Sequence, residues 1–333
     1  RVELEGISYR YTAIVLLALA DESPEAADEA LQGDSAEAVC SRLVDHAGRT
    51  EDPGEVALAL WAARRMNHPQ AGQALKRLVQ VAPDRRSIPT VEMSWALSAL
   101  SAQSPVATDV GLANRIADRL MSSQDRRTGL FPHGTPGSPT PWLRGHICCF
   151  ADMVYPVQAL SYYYRLTDKA LVRDAAIACG QRMCNLQGEE GQWWWHHDVC
   201  TGRVVERYPV YAVHQDGMGP MAVFDLQEAC GGDYRAAVIK SVEWLVHSPE
   251  INGSLIDHEA GVIWRKVFRR EPGKLVRGIQ AMASRLHPSL RMPLADTFFP
   301  PIAVDYESRP YHMGWLLFAW SGCRVRQLVG ITS

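Results

Sequence analysis

The sequence has 333 residues, of which 47% are hydrophobic, and its formal net charge at pH 7 is −3. A chain of this size can bury a large core, and one domain over residues 1–333 accommodates it. The small net charge gives no reason to expect nucleic acid as a partner. No apolar run reaches the roughly 18 residues that a bilayer span needs.

The cysteines form no Cys-x-x-Cys pair, and nothing resembles a signal peptide. We therefore expect a cytoplasmic protein with reduced cysteines, no metal and no cofactor. The oligomeric state stays open.

Six unusually apolar helical segments recur along the chain. On a common frame each begins with an ionisable residue, and these are Arg10, Glu55, Glu92, Asp152, Asp216 and His312. Amphipathic segments with apolar residues at i, i+3, i+4 and i+7 alternate with them, at roughly 36–47, 70–81, 109–123, 168–186, 233–247 and 276–286. This alternation predicts an all-α fold, an (α/α)6 toroid with six parallel inner helices inside six antiparallel outer ones.

Two of the inner segments carry an aspartate four residues before a proline, Asp152–Pro156 and Asp216–Pro220. Proline suits the first turn of a helix, so both aspartates are predicted at helix N-termini on one rim, the mouth of the toroid. A structural role as a helix cap is an equally good explanation for either one. Asp216 is the preferred catalytic candidate because His214 and Gln215 precede it, whereas Asp152 is more readily explained as a cap.

The loops at the predicted mouth are long. Residues 124–146 are rich in glycine and proline, and such loops in compact domains are usually functional. Residues 187–211 and 253–270 predict two small β-hairpins in the rim loops, with turns near 198–202 and 258–261. On a strand, Trp193 and Trp195 would face the same side.

Aromatic side chains beside carboxylates and histidines suit a sugar ring, although tryptophans can also seal a hairpin onto the fold. The candidate substrate-binding residues are Trp193, Trp195, His197, Tyr208, Tyr211, Gln215, Arg144, His146, Arg309 and Tyr311. The arginines would suit a uronic acid or a sugar phosphate, or they form surface ion pairs.

Cleavage of a glycosidic bond needs one carboxylic acid that protonates the leaving oxygen and one carboxylate that activates water or attacks carbon. The candidates for this pair are Asp216, Asp152, Glu92 and Glu307. His214 and His312 are further catalytic candidates, as general bases or hydroxyl ligands, although lone histidines are more often buried structural residues.

In architecture and rim chemistry the chain resembles the six-hairpin glycosidase-like superfamily of (α/α)6 toroids, over nearly its whole length. That resemblance implies a carbohydrate-active enzyme acting on a small-molecule or oligosaccharide substrate, most simply a glycoside hydrolase. A uronate lyase or sugar epimerase is an alternative, which would use Tyr208, Tyr211, His214, Gln215 and Arg309.

A second resemblance lies in Gln187-Gly-Glu-Glu-Gly-Gln-Trp193, which is similar to the glutamine–tryptophan repeat of triterpene cyclases; residues 124–131 are a looser copy. It implies a terpene cyclase or prenyltransferase-like toroid, with an aromatic cavity and one lone acid. The Asp-x-Asp-Asp proton donor of those cyclases is absent from the sequence. A third alternative is a non-catalytic glycan-binding toroid, in which all the rim acids are paired caps.

Overall fold

The computed structural model describes residues 3, 5–102, 107–138, 142, 144–287 and 289–328. The α-helices within these residues are α1 (Tyr9–Leu19), α2 (Pro24–Ala30), α3 (Ala36–Ala47), α4 (Pro53–Arg65), α5 (Ala71–Val81), α6 (Thr90–Ser101), α7 (Ala107–Ser123), α8 (Ala151–Thr167), α9 (Ala170–Asn185), α10 (Gly219–Cys230), α11 (Arg235–Val246), α12 (Leu275–Leu286), α13 (Ala295–Phe298), α14 (Pro310–Ala319) and α15 (Gly322–Leu328). None of them is long and apolar enough to cross a membrane.

Six of these helices close into a ring. Each packs against the next in the order α1, α4, α6, α8, α10 and α14, and α14 packs against α1. The inner helices are apolar on nearly all sides; in α4, for example, every residue from Val56 to Ala63 is fully buried or nearly so. The helices α3, α5, α7, α9 and α11 follow inner helices along the chain and bury one stripe each. The predicted (α/α)6 toroid is therefore confirmed.

The sixth outer helix was predicted over residues 276–286, and that assignment is wrong. Those residues form α12, whose Ala281 packs against Ile147 and Val205 of a small sheet at the mouth. The place of the sixth outer helix is taken by α15, in which Arg324 pairs with Asp225 of α10 at 2.6 Å. An amphipathic stripe shows that a helix is buried on one side, but either a sheet or another helix can cover its apolar residues.

The two Asp-x-x-x-Pro segments also differ from each other. Pro220 is the second residue of α10, as predicted, and a π-helical turn at His214–Met218 precedes it. Pro156 lies inside α8 rather than in its first turn, so that part of the prediction is wrong. Because proline lacks an N–H, the backbone carbonyl of Asp152 loses its helical partner there.

Short strands surround the mouth. They are β1 (Ile147–Cys149), β2 (His196–Asp198), β3 (Arg203–Glu206), β4 (Val210–Tyr211), β5 (Ile256–Asp257), β6 (Val262–Ile263), β7 (Lys266–Phe268) and β8 (Ala303–Asp305). They form three antiparallel sheets, in the orders β1-β2-β3, β4-β7-β8 and β5-β6. The β2–β3 and β5–β6 hairpins have the predicted turns, whereas β1, β4 and β8 were not predicted.

The tryptophan row precedes β2 instead of lying on a strand, so strand alternation does not apply to it. Trp193 and Trp194 are buried, and Trp195 is half-buried. In the loop at 124–146, residues 139–141 and 143 lie outside the described residues.

Both glutamine segments act as clamps between outer helices. The Gln124 amide donates to the carbonyls of Gly129 and Ala175, each at 2.9 Å. The Gln187 amide makes the same pair of bonds, to Gly191 and Ala237. This packing role accounts for the similarity between the two segments without any catalytic function.

Candidate functional site

The N-terminal ends of the inner helices meet at one end of the ring, as the sequence predicts. Arg10 of α1 contacts Asp52 before α4 and Glu92 of α6. Phe150 before α8 packs on His214, and Asp216 of the π-helical turn contacts His312 of α14. Ionisable residues at or just before the starts of inner helices thus contact one another at this end of the ring.

Glu92 is the third residue of α6 and is largely enclosed, with 12% of its side chain exposed. Arg10 donates to it at 2.7 Å and to Asp52 at 2.6 Å. Burial raises the pKa of Glu92 above its ordinary value, although Arg10 acts in the opposite direction. A Cβ at Gly54 would lie 2.8 Å from the Glu92 Cγ, so the glycine allows this carboxylate to lie against α4.

Asp152 is the second residue of α8, and its side chain is completely buried. Its carboxylate is 3.1 Å from the Nδ1 of His133 and accepts a 2.8 Å hydrogen bond from the Cys149 backbone N–H. His133 itself is open to solvent, with 60% of its side chain exposed. Asp152 is therefore connected to the mouth only indirectly, through its hydrogen-bonded partner His133.

His133 connects the two carboxylates. The hydrogen bond and the charge of Asp152 raise the pKa of His133, and the charge of Glu92 raises it further. Its backbone carbonyl accepts from the Thr90 N–H at 2.9 Å, which fixes the loop beside the start of α6. His133 was not among the predicted site residues, although the glycine- and proline-rich loop that carries it was predicted to be functional.

Asp216 forms a closed pair with His312. The His312 Nε2 lies 2.8 and 2.9 Å from the two carboxylate oxygens. The exposed fractions of the two side chains are 5% and 4%, and the Trp320 indole N–H donates to the Asp216 backbone carbonyl. The pair therefore links α10 to α14 and faces little open space.

An aromatic wall lies between these two pairs. Trp195 stacks on His214 with ring centroids 5.3 Å apart, and Tyr211 packs against both rings. Burial lowers the pKa of His214 to about 3, so this ring is neutral near pH 7. The Phe150 N–H donates to the Trp195 carbonyl at 3.0 Å, which holds Trp195 beside the start of α8.

The floor of the mouth is aromatic. Tyr155 packs edge-on against Trp95 and at a tilt against Trp315, with ring centroids 5.3 and 5.8 Å apart. Burial raises the pKa of Tyr155 far above its ordinary value, so its hydroxyl stays protonated. Among the described residues, the buried indole nitrogens of Trp95 and Trp315 have no hydrogen-bond partner.

On another side of the mouth, Glu307 lies between Arg265 and Arg309, with 2.5 Å to each guanidinium. The Arg309 hydrogen bond holds the pKa of Glu307 below its ordinary value. Arg309 also donates to the Tyr11 hydroxyl at 2.7 Å, and the Tyr11 ring stacks on Tyr311. Glu307 is therefore a stabilised carboxylate with 41% of its side chain exposed, poorly suited to donate a proton.

Several predicted substrate-binding residues lie within the protein instead of facing the mouth. Trp193 is in the core, and the Gln215 amide binds the backbone of Trp193 and Tyr211. Tyr208 lies in a separate apolar cluster, where its hydroxyl donates to Glu250 at 2.9 Å. Amphipathic side chains such as tyrosine satisfy their polar group inside the protein as readily as at a ligand.

His146 and His197 are also buried. The His146 Nε2 is 2.9 Å from the Ser284 hydroxyl of α12, and burial lowers the pKa of His197 to about 3. Arg144 is exposed, and its positive charge lowers the pKa of both His133 and His196, so it lies near the mouth. The predicted residues that the structure brings together at the mouth are Glu92, Asp152, Trp195, Tyr211, His214, Arg144, Glu307, Arg309 and Tyr311.

Comparison with solved structures shows that the fold is shared with other proteins of known structure. Unsaturated glucuronyl hydrolase from Bacillus sp. GL1 superposes with a TM-score of 0.53 at 12% identity, over 98% of each chain. A possible member of the GH105 family from Klebsiella pneumoniae gives 0.54 at 11% identity, over 97% of this chain and 82% of that one. An unsaturated glucuronyl hydrolase specific for heparin gives 0.50 at 10% identity, over 98% of each chain. No protein-family model and no curated protein matches the chain. The likeness therefore establishes the fold, and the activity has to be argued from the site.

Proposed function

We propose that this protein is a glycoside hydrolase in which Glu92 and Asp152 are the two catalytic carboxylates. The observation that carries the proposal is their placement on the neighbouring inner helices α6 and α8, in different environments, with both charges acting on the solvent-exposed His133. Pairs of carboxyl groups whose surroundings separate their protonation states are typical of acid–base catalysis on glycosides.

The two environments suggest the division of roles. Burial raises the pKa of Glu92, so it keeps its proton at a higher pH than a solvated glutamate and can protonate the leaving oxygen. Asp152 accepts a hydrogen bond from the Cys149 backbone N–H and lies against the ring of His133, and these two contacts fix the orientation of its carboxyl group. Because Asp152 is buried, it would activate water through His133, the exposed ring that it holds in position.

We further propose that the substrate carries an acidic sugar. Arg144 and Arg277 add positive charge near His196. Neither arginine has an ion-pair partner within the described part of the chain. An unpaired guanidinium can bind a carboxylate in a bidentate manner. The unsaturated glucuronyl hydrolases of similar fold agree with this proposal, and Trp195 offers a half-buried ring on which a sugar can stack.

The alternatives fit the site less well. The residue set of a lyase or epimerase is not assembled, because Tyr208 and Gln215 have structural partners elsewhere. The aromatic floor is what a cyclase would have, but two acids rather than one lie above it. In a non-catalytic glycan-binding toroid the rim acids would be helix caps with ordinary pKa values, whereas the pKa of Glu92 is raised.

A panel of 4-nitrophenyl glycosides and glycuronides, unsaturated uronyl disaccharides and one isoprenoid diphosphate tests the proposal by turnover and by thermal shift. We expect hydrolysis of at least one uronide and its loss in Glu92→Gln. The matched control is Glu228→Gln, since Glu228 is an ion-paired glutamate at the far end of α10. The proposal is overturned if Glu92→Gln retains turnover. It is also overturned if the isoprenoid diphosphate raises the melting temperature and no sugar does.

We also propose a cytoplasmic location. The seven cysteines whose side chains the structure describes are all free thiols, as is usual in a reducing compartment.

A further inference from the structure

Three different metal-binding side chains converge at the mouth. The donor atoms of His133, Cys149 and Asp152 all lie within 4.8 Å of one another. Imidazole, thiolate and carboxylate are the ligands that zinc uses in proteins, at about 2.0–2.3 Å from the metal. Ligands of one tetrahedral ion are then about 3.3–3.8 Å apart, so small side-chain movements would bring these three atoms onto a shared ion.

The positions of the three residues in the fold suit such a site. Cys149 ends β1 and Asp152 is in the first turn of α8, so a rigid strand-to-helix connection sets their spacing. His133 approaches from the loop that is fastened to Thr90. The Cys149 backbone N–H bonds one carboxylate oxygen of Asp152, which orients the group and leaves the other oxygen for an ion.

Access is open on one side. The His133 side chain is 60% exposed, and Cys149 is half-buried. An ion held by these three groups would keep its fourth position toward the mouth, as zinc ions with three protein ligands do. Arg144, which acts on His133 from nearby, is the cation that the ion's charge would displace outward.

We propose that His133, Cys149 and Asp152 form a zinc-binding site at the mouth of the toroid. On binding, the Cys149 thiol loses its proton to solvent and the ion takes one ligand from each residue. The site does not depend on the proposed hydrolase activity. It does share Asp152 with that activity, so a bound zinc ion removes this carboxylate from catalysis and inhibits turnover.

The test uses the full chain in a Cys200→Ser background, because Cys200 is an exposed thiol that could bind metal on its own. Metal-stripped protein is titrated with Zn²⁺ by calorimetry and with Co²⁺ by absorbance. We expect one equivalent of metal and a cobalt–thiolate charge-transfer band. Since losing even a supporting residue costs about 10–100-fold in affinity, Cys149→Ser and His133→Ala should each weaken binding by at least about 100-fold.

The matched control is His258→Ala, an exposed histidine in the β5–β6 turn, which should leave the affinity unchanged. Because His133 is exposed, His133→Ala keeps the fold testable even if Cys149→Ser proves unstable. Failure of the parent protein to bind one equivalent, or an affinity equal to that of the parent in Cys149→Ser and His133→Ala, overturns the proposal. If the protein binds zinc in this pattern but hydrolyses no sugar when it is metal-free, the hydrolase proposal alone is overturned.

Discussion

The two aspartate–histidine pairs of this protein begin from the same sequence frame and end in opposite environments. Asp152 lies against His133, an exposed residue of an irregular loop, whereas Asp216 lies against His312, a buried residue of the neighbouring inner helix. The open pair can reach a substrate, and the closed pair joins two helices. A shared start signal therefore predicts where an acid lies along a helix, but its partner determines what the acid can do.

The comparison reverses the order in which we would mutate the two residues. The sequence favoured Asp216 because polar residues precede it. In the structure those neighbours are used internally: Gln215 binds backbone groups, and His214 is stacked between Phe150 and Trp195. Asp152, which the sequence explained more readily as a cap, is the acid with an exposed partner.

The largest expected effect is on turnover in Asp152→Asn. Loss of a positioned acid or base usually costs about 10²–10⁴-fold in rate, so kcat/KM on the best uronide should fall by at least about 100-fold. The asparagine side chain keeps an oxygen for the Cys149 N–H, and we expect the melting temperature to change little. Steady-state kinetics with Asp84→Asn as a matched control, an ion-paired aspartate facing α7, measures this. Equal losses in the two variants would mean that Asp152 has no special role.

The next effect is on stability, in Asp216→Ala. Removing one partner of a buried charged pair typically costs about 3–5 kcal/mol, and His312 would be left buried beside a cavity. We expect urea unfolding to show a loss in this range, against a clearly smaller loss for Asp152→Ala, whose partner is solvated. Asp45→Ala, at an exposed position of α3, serves as the control. If Asp152→Ala proves the more destabilising of the two, the distinction between a closed and an open pair is wrong.

Much of the architecture was predictable because helical periodicity reports burial directly. The six apolar segments form the inner ring, and Glu92 and Asp152 lie in the first turns of α6 and α8, as their common frame predicts. His133 was missed because an irregular loop has no period that would indicate its contacts. Residues 276–286 were assigned to the wrong place for a related reason. An apolar stripe on a helix does not show which element packs against it. Tyr208 was assigned to the site on its chemistry, but its hydroxyl binds the half-buried Glu250, 42 residues away in the sequence.

A smaller effect is expected at Trp195, which lies beside the open pair. Stacking contacts of an aromatic ring contribute about 0.5–1.5 kcal/mol beyond the area they bury. Trp195→Ala should therefore raise KM or Kd for the sugar about 2–12-fold, with a smaller change for Trp195→Phe. Trp264→Ala is the control, because Trp264 packs on Tyr306 in a separate apolar cluster. An unchanged KM in Trp195→Ala would place the substrate elsewhere on the rim.

The smallest effect is the pH dependence of the open pair. Asp152 raises the pKa of His133 above 6.5 in the folded state, so the folded protein holds this proton more tightly than the unfolded chain does. The resulting stabilisation is fully present below pH 6.5 and is lost as the pH rises through the folded value. Because His133 is largely exposed, solvent screening limits it to about 0.2–1 kcal/mol. The difference in unfolding free energy between the parent protein and His133→Gln should therefore be larger at pH 5.5 than at pH 8.5. Repeating the comparison in an Asp152→Asn background should abolish that difference, and a difference that persists there would assign the pH dependence to another group.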